Sequence, residues 1–320
     1  MRAHPLKPLL CPWCRIARAD GSVLIEYGGE CVVLEGSAAA SFVPALLPLL
    51  DGTRTQAQLA EQLELPDPRP VENALSLLAE HGLLVEGPPL DVDVPAPFAH
   101  AAYLDATTRG GGASPTDELR RLGEASIAVL GAGTVAGEIA RLLLASGVGD
   151  VVRLDLRLGP DDESRRDLTV VAPSPSELLR LPAWNERALA RRVEWLQALP
   201  WDGSIAIIGP AFVPGETCCW ECFRLRRRSH LDYGDELAKL ESAVWQPPLP
   251  PGLVALLAGT ATLLALRRLL GDPLVAGAAA VLEFGASLRL DVHRVLRVPR
   301  CPACSPTAAQ ALPSPWAEAS

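Results

Sequence analysis

The chain is 320 residues long, 49% of its side chains are hydrophobic, and its formal net charge is −9 at pH 7. That length and apolar content exclude a chain disordered throughout and suggest two domains more readily than one. The acidic balance argues against broad electrostatic binding to nucleic acid, because a phosphate backbone rewards clustered Lys and Arg.

The opening MRAHPLKPLL shows no basic flank leading into an apolar core of signal length, so the expected location is cytoplasmic. CPWC at 11–14 has the C-x-x-C form of a redox turn; half of a second metal site, with Cys31, and a plain tail are the other readings. SVLIEY (22–27) and ECVVLEG (30–36), joined by Gly28-Gly29, predict a β-hairpin. Helical patterns follow over AAASFVPALLPLLDG (38–52), TQAQLAEQL (55–63) with Thr55 as N-cap, and PVENALSLLAEHG (70–82), which Pro70 starts and Gly82 stops. The apolar run LLVEG closes a unit spanning residues 1–90. A small sheet with three helices is a winged helix-turn-helix layout, whose common use is DNA binding. Residues 1–90 hold six Lys/Arg against eleven Asp/Glu, and no helix carries a basic face, so nucleic acid is not the expected partner.

Pro and Gly dominate the aperiodic stretch after it, and residues 91–119 are assigned as a linker to a second domain, 120–320. That domain opens with SIAVLGAGTVAGEIARLLLASGVGDVVRLD (126–155): a strand, a glycine turn, an amphipathic helix and a second strand ending in an acid. Gly131 and Gly133 permit a tight turn and close backbone approach to a phosphate. Gly137 lets helix and strand pack, and Asp155 stands where a ribose hydroxyl would be held. The motif signals a nucleotide-type βαβ fold more strongly than a bound nucleotide, since the turn also serves as plain architecture.

Downstream, PGETCCWECF (214–223) holds three of the eight cysteines, and CPAC (301–304) two more. Cys219, Cys222, Cys301 and Cys304 form two C-x-x-C turns with 78 residues between them, which suits a tetrahedral structural zinc tying distant segments together. Cys218 is a bystander to that spacing. RLRRRSH (224–230) reads as a solvated helix face or as a docking patch for an acidic partner. The apolar stretch LVALLAGTATLLAL (253–266) is shorter than a bilayer requires and runs into Arg267 and Arg268, so a buried helix is expected and no membrane. Neither His230 nor His293 has a Ser or Cys partner that the sequence justifies, and no catalytic residue is assigned.

The glycine turn, ASGVGDVVRLD and the paired C-x-x-C turns resemble the ATP-dependent adenylating enzymes similar to ubiquitin-activating enzyme and the bacterial sulfur-carrier activators. Departures accompany the resemblance. That family follows its ribose-binding acid with a second Asp two positions on, then an Asn-x-x-Arg-Gln segment and a Lys that neutralise the triphosphate. Here Asp155 is followed by Leu156-Arg157, no such segment appears, and no lysine lies between Lys7 and Lys239. Adenylyl chemistry depends on cations placed around the phosphates, and Arg165 and Arg166 are the substitutes available. ATP is therefore expected not to be bound by this chain.

LKP near the start, VVLEG, LLPLLDGTRT, GPAFVPGETCCWECFRLRRR and VPRCPAC, in that order, resemble the ocin-ThiF-type, cyclodehydratase-associated leader-peptide-binding proteins of thiazole/oxazole-modified peptide and thiopeptide biosynthesis. The resemblance implies an α/β chain in which an N-terminal winged helix-turn-helix recognition element binds the leader of a ribosomal precursor peptide. A degenerate, zinc-bearing adenylating fold would dock a YcaO-type cyclodehydratase that forms azolines with ATP. Leader contacts are expected on the segment 22–35 and the helix 70–81, at Val23, Ile25, Val32, Leu75 and Leu78. An active adenylating enzyme acting on a peptide or sulfur-carrier C-terminus is the alternative. A homodimer is expected only by analogy with adenylating relatives.

Overall fold

The computed structural model describes residues 5–11, 14–19, 21–27, 30–90, 93–95, 114–157, 166–234, 236, 239–240, 243, 248–284 and 288–305. The chain divides into two compact units, Met1–Gly123 and Glu124–Ser320.

In the first unit, β1 (Pro8–Leu10) is followed by an antiparallel sheet of β2 (Arg15–Ala19), β3 (Ser22–Tyr27) and β4 (Glu30–Leu34), in that spatial order. The hairpin pairs Val23 with Leu34 and Tyr27 with Glu30; its turn, Gly28-Gly29, lies outside the described residues. Helix α1 (Ser37–Leu46) gives way to a 3-10 turn, Leu47–Leu49, rather than running on to residue 52. Pro48 explains the early stop, since it removes an amide that a continuing α-helix would use. Helix α2 (Gln56–Gln62) starts at Thr55 in a reciprocal capping box with Gln58, a device that satisfies two otherwise orphaned backbone amides. Helix α3 (Arg69–Glu80) ends two residues before Gly82, which takes φ +68°. β5 (Leu84–Glu86) then pairs with β1. The main core of the unit buries Val23 and Ile25 from β3 together with Leu46, Leu59, Val71, Leu75, Leu78 and Leu83, and Leu9, Cys11 and Val85 form a smaller cluster. Most of the assigned linker lies outside the described residues, but its end is helical: α4 spans Pro115–Glu124.

The second unit carries a mixed seven-stranded sheet. Its N-terminal part is β6 (Ser126–Leu130), α5 (Thr134–Ala145), β7 (Asp150–Leu154), β8 (Leu168–Val171), α6 (Leu181–Arg191) and β9 (Trp195–Ala198). These four strands are parallel, in the order β9-β8-β6-β7. Near-continuous apolar runs such as SIAVL and LTVV suit strands buried on both faces. β10 (Ile205–Phe212) reverses direction, and after α7 (Trp220–His230) and α8 (Pro251–Leu269) the sheet continues antiparallel through β11 (Ala278–Phe284) to β12 (Leu288–Arg294). Trp195 anchors the core, edge-on to Trp184 at 6.1 Å and tilted against Phe212 at 4.4 Å. Among the described residues α8 is the one helix long and apolar enough to cross a membrane by length and composition. It is longer than its apolar stretch suggested, and Leu253, Leu257, Ala258, Ala261, Ala265 and Leu266 are buried where it packs on α5 and the sheet.

Candidate functional site

Four cysteines converge in the second unit. Cys219 is the N-cap of α7 and Cys222 lies in that helix's first turn, which places both thiols on one side of the helix start. Cys301 and Cys304 sit in a turn closed by Cys301 N–H to the Val298 carbonyl and Ser305 N–H to the Cys301 carbonyl. The sulfurs lie 3.8 Å apart for 219–222, 3.6 Å for 219–301 and 3.5 Å for 222–304, and all four fall within 4.8 Å of one another. Thiolates about 2.3 Å from a single tetrahedral ion stand roughly 3.8 Å from each other, so the donor set fits a tetrathiolate metal centre and is compatible with structural zinc. Hydrogen bonds prepare it. The Cys219 thiol, then the Val298 amide, lower the Cys222 pKa to about 4, whereas burial first and Cys222 second raise that of Cys304 to about 11. Burial likewise holds the Cys218 thiol up at about 12, outside the four.

The basic run after the first turn is structural. Arg226 donates to the carbonyls of Leu296 and Arg297 at 2.6 and 3.0 Å, lashing α7 to the chain that leads into CPAC. Arg224 pairs with Glu221, and Arg227 with Asp202. Arg297 donates to the Gly215 and Cys304 carbonyls. Arg226 and Arg297 thus brace the segment that carries Cys301 and Cys304, a role that the sequence run alone did not disclose.

The glycine turn is built as expected and occupied in an unexpected way. Gly131 has φ +138°, and a Cβ there would fall 2.0 Å from the Ala172 carbonyl oxygen, so only glycine fits. Gly133 caps α5, and Gly137 leaves room for the Arg153 guanidinium reaching across from β7. The turn's Ala132 N–H, a group that would face a phosphate, donates to Glu177 at 3.1 Å instead. The same carboxylate oxygen accepts from the amide and hydroxyl of Ser174, each at 2.8 Å, and Glu177 is 5% exposed. Asp155 accepts from the Arg157 amide at 2.7 Å and from Arg180 at 3.4 Å. One short 3-10 segment, Pro175–Arg180, thus places an acid on the glycine turn and a base on Asp155. The adjoining cavity, about 630 Å³, is lined by this turn, Pro173–Ser176, Ala198–Trp201, Pro248 and Leu249, with no charged side chain among the described residues. Arg166 pairs with Asp150 at the start of β7, the opposite end of the sheet from the turn, and Arg165 lies outside the described residues.

In the first unit a cavity of about 470 Å³ lies between β4, α1 and α3. Its walls include Val33, Leu34, Phe42, Asn73, Leu77 and Leu78. Only one residue of the expected leader set, Leu78, lines it. Val23, Ile25 and Leu75 are at most 1% exposed within the core, and Val32 packs against that core. Strand alternation supplies the reason: Val32 turns inward, so its neighbour Val33, 50% exposed, faces out. On α3, Leu77 is 39% exposed beside the groove. β4 pairs only with β3 among the described strands, so its outer edge keeps backbone groups free for another strand.

Cys11 is buried, donates to the Gly82 carbonyl at 3.6 Å and accepts from the Cys14 amide at 3.1 Å, in a turn between two strands rather than before a helix. Cys31 is exposed, and these three are outside the four-cysteine group.

The second unit's parallel strands, glycine turn and antiparallel extension define a mixed α/β fold, preceded by a small sheet-and-helix unit. No protein-family model and no curated protein matches the sequence. Solved structures share the fold: the heterocyclase TruD at 26% identity and TM-score 0.64, over 94% of this chain and 43% of that one. A heterocyclase in complex with substrate and cofactor gives 21% and 0.66 over 93% and 39%. Escherichia coli MccB gives 17% and 0.69 over 96% and 98%, and its structures include complexes with ATP and with MccA. This chain therefore spans about two fifths of the heterocyclase chains and nearly all of MccB.

Proposed function

We propose that this chain is a non-catalytic scaffold of ribosomal peptide maturation. Its first unit, a winged helix-turn-helix recognition element, binds a precursor's leader. Its second, a degenerate adenylating fold with a structural zinc at Cys219, Cys222, Cys301 and Cys304, presents the bound peptide to a separate YcaO-type cyclodehydratase. The observation that carries the reading is the apolar groove beside the open β4 edge, where an extended peptide can add a strand while its side chains enter the groove. Tethering the leader raises the effective concentration of the core peptide at the partner's active site. The heterocyclase likeness supports the substrate class.

The chain's own residues oppose nucleotide chemistry. Glu177 accepts from the N–H that would hold a phosphate, Arg180 engages Asp155, and no cation lines the cavity above them among the described residues. ATP then belongs to the partner. The likeness to MccB along nearly its whole length favours a second reading, an adenylating enzyme. Reconstitution separates the two. Precursor, magnesium-ATP and a YcaO-type partner are predicted to give loss of one water per azoline only when this chain is added. ATP–pyrophosphate exchange by this chain alone would establish the second reading.

A further inference from the structure

The C-x-x-C turn near the start of the first unit is neither a wall of the groove nor part of the four-cysteine group. Its two thiols are free and differently placed. The Cys14 amide donates to the Cys11 carbonyl at 3.1 Å. Such a bond closes a four-residue turn, whose end Cα atoms then lie within about 7 Å, the span that a disulfide requires. Cys11 is 2% exposed and held on two sides: its amide donates to the Leu83 carbonyl at 2.9 Å and its thiol to the Gly82 carbonyl at 3.6 Å. Cys14 is half-buried and packs, with Tyr27, against the cluster of Leu9, Cys11 and Val85. The two sulfurs also interact. A hydrogen bond from Cys11 holds the Cys14 thiol below its ordinary pKa, and the same contact, followed by burial, pushes that of Cys11 up.

We propose that Cys11 and Cys14 form a thiol–disulfide exchange site whose substrate is a low-molecular-weight disulfide of the glutathione class. Cys14, its proton released to solvent, attacks one sulfur of the substrate. The substrate's S–S bond breaks, and its first thiolate leaves and takes a proton from solvent. Cys11 then gives up its proton and attacks the Cys14 sulfur, expelling the second thiolate, which is protonated in turn. The protein loses two electrons and two protons and ends with a Cys11–Cys14 disulfide; the substrate gains both and ends as two thiols. Exposure sets the order of the steps. β2 follows the turn rather than a helix, so no helix dipole activates the first cysteine, and an incoming reagent meets Cys14 while Cys11 stays covered. Once Cys14 is in the mixed disulfide, the thiolate that held the Cys11 proton is gone, and the buried thiol is released to attack. The half-burial of Cys14 favours a slender reagent over the disulfide of a folded protein.

Peptide mapping of the full zinc-loaded chain after exposure to glutathione disulfide, with the remaining thiols alkylated, tests this independently of leader binding. Cys31, exposed in the same unit, is the reference thiol. In the wild type, Cys11 and Cys14 are expected to be recovered joined to each other, and Cys31 with a glutathione adduct. Cys11→Ser, which keeps a hydroxyl donor for the Gly82 carbonyl, is expected to retain one glutathione on Cys14 because nothing resolves it. Cys14→Ser is expected to leave Cys11 at least tenfold less modified than Cys31. Recovery of Cys11 and Cys14 both alkylated, at an exposure that loads Cys31, overturns the proposal. So does a Cys14–Cys31 disulfide, or a Cys14 free of glutathione in Cys11→Ser. Glutathione on Cys11 of Cys14→Ser at the rate of Cys31 overturns the assignment of Cys14 as the attacking thiol.

Discussion

Replacing Val33 and Leu77 together by alanine removes the two large apolar side chains of the groove wall that stand exposed, at 50% and 39%. Full burial of an aliphatic side chain is worth about 1.5–3 kcal/mol, so covering the exposed two fifths to one half of each contributes roughly 1 kcal/mol per residue. The pair therefore supplies about 2 kcal/mol of leader affinity, and the double variant should raise the leader's Kd roughly 10- to 30-fold. Neither side chain is deep in the core, so the thermal melt should move little. Leu75→Ala is the contrasting control: that residue is 0% exposed, and its truncation should cost about 2–5 kcal/mol of folding stability. Fluorescence polarisation of a labelled leader, with a melt of each variant, reads both quantities. A double variant that binds like the wild type, within about twofold, would refute the placement of the groove.

Cys301→Ser should abolish stoichiometric zinc in metal analysis and lower the melting of the second unit, because a structural tetrathiolate contributes folding energy directly; retention of one zinc per chain contradicts the assigned ligand set. Glu177→Gln weakens three hydrogen bonds to one buried carboxylate oxygen and should destabilise the chain by about 1–3 kcal/mol without changing leader affinity. Its melt overlaying the wild type's would show that the carboxylate is not holding the turn. Burial alone would raise the Asp51 pKa, but hydrogen bonds from Thr53 and from Arg54 outweigh it and leave the carboxyl below its ordinary value. The stabilisation is therefore present above the unfolded-state pKa and lost as pH falls through the lower folded value. Asp51→Asn should melt below the wild type near neutrality, with the gap closing below about pH 4; a gap that stays constant across the pH series contradicts this.

Local codes were legible in the sequence where one residue type has one cheap use. Thr55 caps its helix, Gly82 takes the positive φ that ends one, Gly131 fits where a Cβ cannot, and the four cysteines carry the spacing of a metal centre. What depended on which face a side chain turns to was not. Of the expected leader residues Leu78 lines the groove, yet Val23, Ile25 and Leu75 are core, because an apolar residue on a half-buried strand or helix looks the same on either side of the boundary. The Glu177 and Arg180 contacts join segments about 25 to 45 residues apart and leave no local signature. The same is true of the arginines around the cysteine centre: RLRRR reads as a surface run until the carbonyls of Leu296 and Arg297 are seen against Arg226.

A scaffold of this kind binds its peptide without nucleotide. Isothermal titration of the full chain with the leader of the precursor encoded nearest to it, with and without magnesium-ATP, measures both at once. One saturating site for the leader, with an affinity that ATP leaves unchanged and no heat from ATP itself, is the predicted result. Tight magnesium-ATP binding by this chain, or no binding of the verified leader, would contradict it.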